Sequence, residues 1–217
     1  SSFLAKYFCS YVVSYLESLT TDDIRNIRKE SINSIFKLLK FYQNFLNNSN
    51  TNTNTNNTNS NSSSVCNNDS IQSLDIDLFA LKFAIKMIKT SILDKRIAAL
   101  KNIVEIIKNK KKQGNQVRKE ISDILTQNNL FTEIFGSNSH IQLVNKSKEL
   151  LEVLAVENLI NKEDLELIWH ATTKGDLETK LTIIKILKET AIFLNLESKK
   201  FLVGKIYELN PNDAHTE

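Results

Sequence analysis

The sequence predicts an all-α protein, on three observations. Apolar residues recur at three- and four-residue steps, as in Leu78, Leu81, Ile85, Ile88 and Ile92, which puts them on one face of a helix. No stretch of comparable length alternates with the period of two that a half-buried strand requires. The 217 residues include only 4 glycines and 1 proline, too few for the closely spaced turns of a sandwich or barrel. The same glycines, Gly114, Gly136, Gly175 and Gly204, stand far apart. That spacing excludes a Gly-rich phosphate loop or a dinucleotide fingerprint, which need clustered glycines so that backbone N–H groups can approach phosphate.

Taken in order, Leu4, Phe8, Val12, Tyr15 and Leu19 mark a first helix. Thr21 before Asp22 and Asp23 reads as an N-cap followed by first-turn acids. Residues 22–46 read as a second helix, with Ile24, Ile27, Ile35, Leu38, Tyr42 and Phe45 on a stripe that Ile32, Phe36 and Leu39 widen. A stripe that wide implies burial against more than one neighbour. From Asn47 to Ser64 every residue is Asn, Ser or Thr. Such a tract has nothing apolar to bury against the entropy of ordering it. It is expected to be a disordered insertion, tolerated because loop-closure entropy grows slowly with length; a prion-like assembly segment is the alternative.

Beyond the tract, residues 74–110 predict two helices, 116–157 two or three, and 161–195 two. Their stripes are Ile97, Leu100, Val104 and Ile107; then Val144, Ser147, Leu151 and Leu154; then Leu177, Leu181, Ile184, Leu187, Ala191 and Leu194. Gln113-Gly114-Asn115 breaks the chain after the first group. Gly136, after Ile134-Phe135, sits where a left-handed C-cap belongs. Asn161 before Glu163 and Asp164 repeats the N-cap arrangement, and Gly175-Asp176 separates the last two helices. The groups start near 74, 116 and 161, a step of roughly 40–45 residues that matches HEAT and armadillo units. The expected architecture is therefore an armadillo/HEAT-like α-solenoid of antiparallel helices, with a compact helical bundle as the competing arrangement. The expected organisation is an N-terminal helix pair over 1–47, a disordered insertion over 48–73, helical repeats over 74–210 and a polar tail over 211–217.

The chain carries 28 Lys+Arg against 25 Asp+Glu, a net charge of +3, so charge alone selects no polyanionic partner. The strongest basic run, Lys108, Lys110, Lys111, Lys112, Arg118 and Lys119, has no interleaved aromatic residues to stack on bases. It reads as a solvated loop rather than a nucleic-acid site. Two cysteines, Cys9 and Cys66, make no disulfide framework, and no apolar run reaches the roughly 20 residues of a membrane span. A cytoplasmic or nuclear protein is expected. The start at Ser1 and the polar end suggest a segment of something longer.

No catalytic constellation emerges. His140, His170 and His215 are single and dispersed, and no His-Glu-x-x-His pair offers zinc two imidazoles on one helix face. Cys9 lies inside an apolar helix, where an inert buried thiol is the expectation, and Cys66 sits beside the Asn-rich tract. Trp169 reads as a core tryptophan beside a partly exposed His170, with about 3–5 kcal/mol expected for its truncation. Catalytic, cofactor-binding and metal-binding residues are all expected to be none.

The order of several short patterns resembles a known family. They run from Leu78-Phe79-Ala80-Leu81-Lys82-Phe83-Ala84 through Lys95-Arg96-Ile97-Ala98-Ala99-Leu100-Lys101-Asn102-Ile103 and Gln127-Asn128-Asn129-Leu130. Phe135-Gly136-Ser137-Asn138-Ser139-His140 follows, then Glu149-Leu150-Leu151, Leu154-Ala155 and Leu165-Glu166-Leu167-Ile168-Trp169. This succession, over about residues 78–208, resembles the non-catalytic helical region of very large ubiquitin-specific proteases of the fat-facets type. The resemblance implies an armadillo-like solenoid upstream of a papain-like, thiol-dependent deubiquitinase domain. It also implies partners that are substrate proteins or the parent protease domain. That family's catalytic domain has a Gly- and Asn-rich cysteine box and a Gly-Gly-His box. Neither Cys9 nor Cys66 has the first set of neighbours, and none of the three histidines has the second, so no catalytic residue carries over. Of the matched positions Leu81, Leu100, Phe135, Leu154 and Trp169 are packing residues, and His140 is expected to cap a helix or bond nearby backbone. The functional expectation is a non-catalytic scaffold or interaction segment acting in protein deubiquitination. A free-standing HEAT/armadillo adaptor unrelated to ubiquitin is the alternative.

Overall fold

The computed structural model describes residues 2–51, 75–110, 115–137 and 139–208, and among these it contains helices and loops but no strand. The chain forms two compact units, Ser1–Thr90 and Ser91–Glu217.

The first unit holds α1 (Ser2–Ser18), α2 (Thr21–Asn26), α3 (Lys29–Thr51) and α4 (Ile76–Ile88). Among the described side chains of α1, Val13 and Leu16 are buried, as is the expected Leu19 just beyond the helix, while Tyr11 and Tyr15 are exposed. The expected stripe through Val12 and Tyr15 is thus turned by one residue. The turn trades phenols, whose hydroxyls need water or a partner, for aliphatic side chains that need neither. The N-cap of α2 is Thr20, one residue earlier than expected. Its hydroxyl accepts from the Asp23 N–H at 3.1 Å, and Asp23 Oδ2 accepts from the Thr20 N–H at 2.8 Å, a reciprocal capping box. The Thr20 hydroxyl and amide together hold the Asp23 carboxyl below its usual range.

The helix expected unbroken over 22–46 breaks at Ile27, whose ψ of 137° is extended. One straight helix could not bury so wide a stripe. Split in two, it presents Ile24 from α2 and Ile32 and Leu39 from α3, all buried, and both helices pack on α4. The α3 helix runs to Thr51, into the Asn-rich tract. The rest of that tract, with its expected disorder, and the polar tail lie outside the described residues. α4 is buried around most of its circumference, including Leu81, Ile85 and Ile88, and Phe83 meets Phe36 with ring centroids 5.7 Å apart. A long polar reach from Lys86 is structural. Lys86 Nζ donates to the carbonyls of Glu17 at 2.8 Å and Leu19 at 2.7 Å, satisfying acceptors left open where α1 ends.

The second unit contains α5 (Leu93–Lys110), α6 (Asn115–Gln127), α7 (Leu130–Phe135), α8 (Ile141–Lys146), α9 (Lys148–Val156), α10 (Lys162–Lys174), α11 (Leu177–Thr190) and α12 (Leu196–Glu208). Four helices occupy 116–157 where two or three were expected. Asn129 takes a left-handed φ of 54° between α6 and α7, and the turn at Gly136 divides α7 from α8. That glycine is not the expected left-handed cap, since its φ is −68° and its ψ 175°. It is needed for another reason: a Cβ there would sit 2.4 Å from the Thr132 carbonyl oxygen, to which the Gly136 N–H donates at 2.8 Å.

α8 and α9 form the middle of this unit. α5 packs on both, α11 packs on both, and α10 packs against α7, α11 and α12. The predicted stripe Val144, Ser147, Leu151 and Leu154 is buried throughout, and the Ser147 hydroxyl donates to the Val144 carbonyl at 2.7 Å. Within the second unit, polar links between elements recur at a nearly constant separation in sequence. Arg96 to the Glu133 carbonyl and Asn195 to Asn158 each span 37 residues, and Lys108 to Glu149 spans 41. Arg118–Glu157 at 3.2 Å, Lys148–Glu189 at 2.7 Å and Lys205–Glu166 at 3.0 Å fall in the same narrow range.

Candidate protein-docking groove

Among the described residues, those singled out for chemistry are not brought together. His140 caps α8, its Nδ1 accepting from the Gln142 N–H at 3.2 Å. His170 is exposed on α10, in a hollow of about 520 Å³ beside Lys162, Glu163, Glu166 and Leu167. Cys66, His215, Lys111 and Lys112 lie outside the described residues, as does the side chain of Cys9. No group of three or more His, Cys, Asp or Glu side chains is placed to hold a metal ion among the described residues. No described helix is long and apolar enough to cross a membrane. Of the described members of the basic run, Lys108, Lys110 and Arg118 are used within the unit. Lys108 pairs with Glu149 at 2.6 Å, Arg118 pairs with the buried Glu157, and Lys110 is itself buried. These contacts spend the charge on holding α5 and α6 to α9.

What the second unit does present is an apolar groove at α10, α11 and α12. Its origin lies in α11. The residues expected in the core, Leu177, Leu181 and Ile184, are 60%, 58% and 48% exposed, whereas Ile183, Ile186, Leu187 and Thr190 are buried. The run Leu181-Thr182-Ile183-Ile184-Lys185-Ile186-Leu187 is apolar on two faces of one helix. Packing against α8, α9 and α10 covers only one of them. On α12 the pattern repeats, with Leu202 buried and Val203, Ile206 and Tyr207 exposed.

α10 contributes Trp169, which is half-buried rather than core. The buried side of α10 is Leu165 and Ile168, and Trp169 lies one step around the helix from Ile168. Local chemistry sets the three helices. Asn161 Oδ1 accepts from the Asp164 N–H at 2.7 Å and Asp164 Oδ2 from the Asn161 N–H at 3.0 Å, the N-terminal box expected for α10. Burial pushes the Asp164 carboxyl up despite that bond. Asp176 starts α11, accepting from the Thr179 N–H at 2.9 Å and the Thr179 hydroxyl at 2.8 Å. Asn195 starts α12, accepting from the Ser198 N–H at 2.8 Å. The Lys205–Glu166 pair then ties α12 to α10, and the hydrogen bonds that Lys205 donates to Glu166 and Glu208 raise its ammonium above its ordinary pKa.

The resulting groove holds about 710 Å³. Trp169, Leu187 and Leu202 line it, together with the exposed Ile184, Ile192, Val203 and Ile206, and among the described residues its charged lining is Lys188 and Lys199. An apolar concavity with a cationic rim is suited to burying an apolar surface, and it offers no nucleophile, base or oxyanion donor. Sequence reasoning missed it by placing Leu177, Leu181 and Ile184 on the core stripe and leaving the buried Ile183 and Ile186 off it. The available signal was that α11 has more apolar positions than one stripe needs.

Comparison with known proteins adds a relationship. Over 97 residues, 45% of the chain, it is 35% identical to ubiquitin carboxyl-terminal hydrolase puf of Drosophila melanogaster. Over 55 residues, 25% of the chain, it is 34% identical to ubiquitin carboxyl-terminal hydrolase 34 of Homo sapiens and of Mus musculus. The matched stretch covers 2% of the length of each of these relatives. No family model and no solved structure matches the chain. Part of the chain is thus related to a small region of these ubiquitin carboxyl-terminal hydrolases.

Proposed function

We propose that this chain is a non-catalytic, armadillo-like helical segment of a large cysteine deubiquitinase, where it serves as a surface for substrate proteins, other partners or the parent protease domain. The observation that carries this reading is the set of polar links at separations of 37 to 41 residues. A repeat that contacts only its neighbours produces contacts at one repeat length and few beyond it. The relationship to ubiquitin carboxyl-terminal hydrolases supplies the enzyme context, and the groove supplies a place to dock. Within this reading residues 74–210 are the repeat region, residues 48–73 are an insertion, and the protein works in the cytoplasm or nucleus.

The test removes residues 75–208 from the natural full-length polypeptide. Labelling of the remaining protein by a ubiquitin-based suicide probe is expected to persist, while turnover of ubiquitin-conjugated substrate proteins falls. Loss of probe labelling in a folded deletion protein would instead make the segment part of the catalytic machinery. A full-length polypeptide that takes no label at all would remove the deubiquitinase context. The isolated chain is expected to take no label; covalent labelling of Cys9 or Cys66 would overturn the non-catalytic assignment.

A further inference from the structure

We infer that the groove at α10, α11 and α12 is a docking site for an amphipathic helix of a partner protein, one whose apolar stripe is flanked by Asp or Glu. The inference rests on reading the segment as an interaction module, but not on the ubiquitin context. Three features point to this occupant. The groove is a trough between helices, lined almost wholly by aliphatic side chains and one indole, the shape and chemistry that accept a helix presenting residues at i, i+3/i+4 and i+7. Among the described residues its charged lining is cationic. Lys188 stands on α11, and Lys199 stands near the start of α12, its Nζ donating to the Ile192 carbonyl at 3.2 Å. The α10 box, the Asp176 and Asn195 caps and the Lys205–Glu166 pair belong to the unit itself, so the site is formed before a partner arrives and little ordering cost falls on this side. A basic helix would bring its cations against the two lysines with no acid in the lining to answer them.

Trp169 is the chain's one tryptophan, so its fluorescence reports on the groove directly. The probes are two designed helical peptides of about 16 residues, roughly 24 Å of helix. They share one Leu/Ile stripe and differ only in carrying Glu or Lys along its flanks. The Glu-flanked peptide is expected to shift Trp169 emission to shorter wavelength and to bind about tenfold tighter at low salt than the Lys-flanked one, the scale of two exposed ion pairs. Lys188→Glu with Lys199→Glu should invert that preference. Val203→Asp, at an exposed position, should abolish binding of both peptides while the far-ultraviolet circular dichroism stays unchanged.

Equal affinity for the two peptides would overturn the acidic flank, and no emission change with either would overturn the groove. Concentration-dependent dimers that Val203→Asp dissolves would give the face to a second copy of the chain. A photo-crosslinker at Val203 in the full-length polypeptide that closes only onto its own chain would give it to an internal segment. Either result overturns a partner in trans. If the groove fails while the deletion protein still loses substrate turnover, the proposed function stands without this site.

Discussion

α9 and α11 lie in the same unit and pack against each other, and both carry apolar stripes that the sequence marks as core. The stripe that runs into α9 is buried at every member, from Val144 through Ser147 and Leu151 to Leu154. The one on α11 faces outward at Leu177, Leu181 and Ile184. The difference is not one of hydrophobicity. α9 is covered by α5 and α8 as well as by α11, so its apolar positions have neighbours to meet. α11 has apolar residues on two faces, and its neighbours cover only the one bearing Ile183 and Ile186. A helical period establishes that a face exists; which face is core depends on what arrives beside it.

Truncation is the sharpest way to break the comparison. Leu154→Ala is expected to cost about 2–5 kcal/mol, the range for a buried leucine that leaves a cavity. Leu181→Ala is expected to stay within about 0.5 kcal/mol, as exposed substitutions do. Denaturant midpoints of the two variants would decide it, and similar losses would show that Leu181 is core. Trp169→Ala should fall below the 3–5 kcal/mol range of a fully buried tryptophan.

Ion pairs at the two helices give the next contrast. Arg118 pairs with Glu157, which caps the C-terminus of α9 and is only 5% exposed. Arg118→Ala strips that carboxylate of a cationic partner in a place with little water, at about 1–3 kcal/mol. Lys148→Ala breaks the exposed pair with Glu189 on α11 and should move the thermal midpoint less, because solvent screens such pairs. A larger loss for Lys148→Ala would reverse the assignment of buried and exposed ends.

The smallest effect concerns pH. The Thr179 N–H and hydroxyl hold the Asp176 carboxyl below its ordinary value. A depressed folded pKa contributes stability that is present above the unfolded carboxylate pKa of about 3.9. It is lost as pH falls through the folded value. The midpoint difference between the parent chain and Asp176→Ala should therefore be constant at neutral pH and shrink below about pH 4. A gap that persists to low pH would mean that the cap acts through geometry alone.

The caps were the most legible features. Asn161 as the cap of α10 was read directly because its bond to the Asp164 N–H closes within three residues; Asp176, read only as part of a break between helices, carries the same local signal. His140 as a cap followed from its place after a turn. The faces of α1 and α11 were read only in part, with Leu19, Leu187 and Leu194 buried as expected but Tyr15, Leu177, Leu181 and Ile184 exposed, for one shared reason. Where apolar residues surround a helix, a rotation of one or two positions costs the sequence pattern nothing. Thr20 replaced Thr21 as a cap by a similar slip, since adjacent threonines before Asp22 and Asp23 offer nearly equal local chemistry.

The amino-acid sequence by itself determined the all-helical class and the capping at several helix starts, because helical periodicity and capping act within a few residues of one another. Tertiary structure decided which apolar face of α11 stays wet, that Trp169 lines a trough, and that Lys108 and Arg118 hold helices together. Those outcomes depend on partners about forty residues away, as the links of 37 to 41 residues make plain, and no local pattern encodes which of two equally oily sides a distant neighbour will cover.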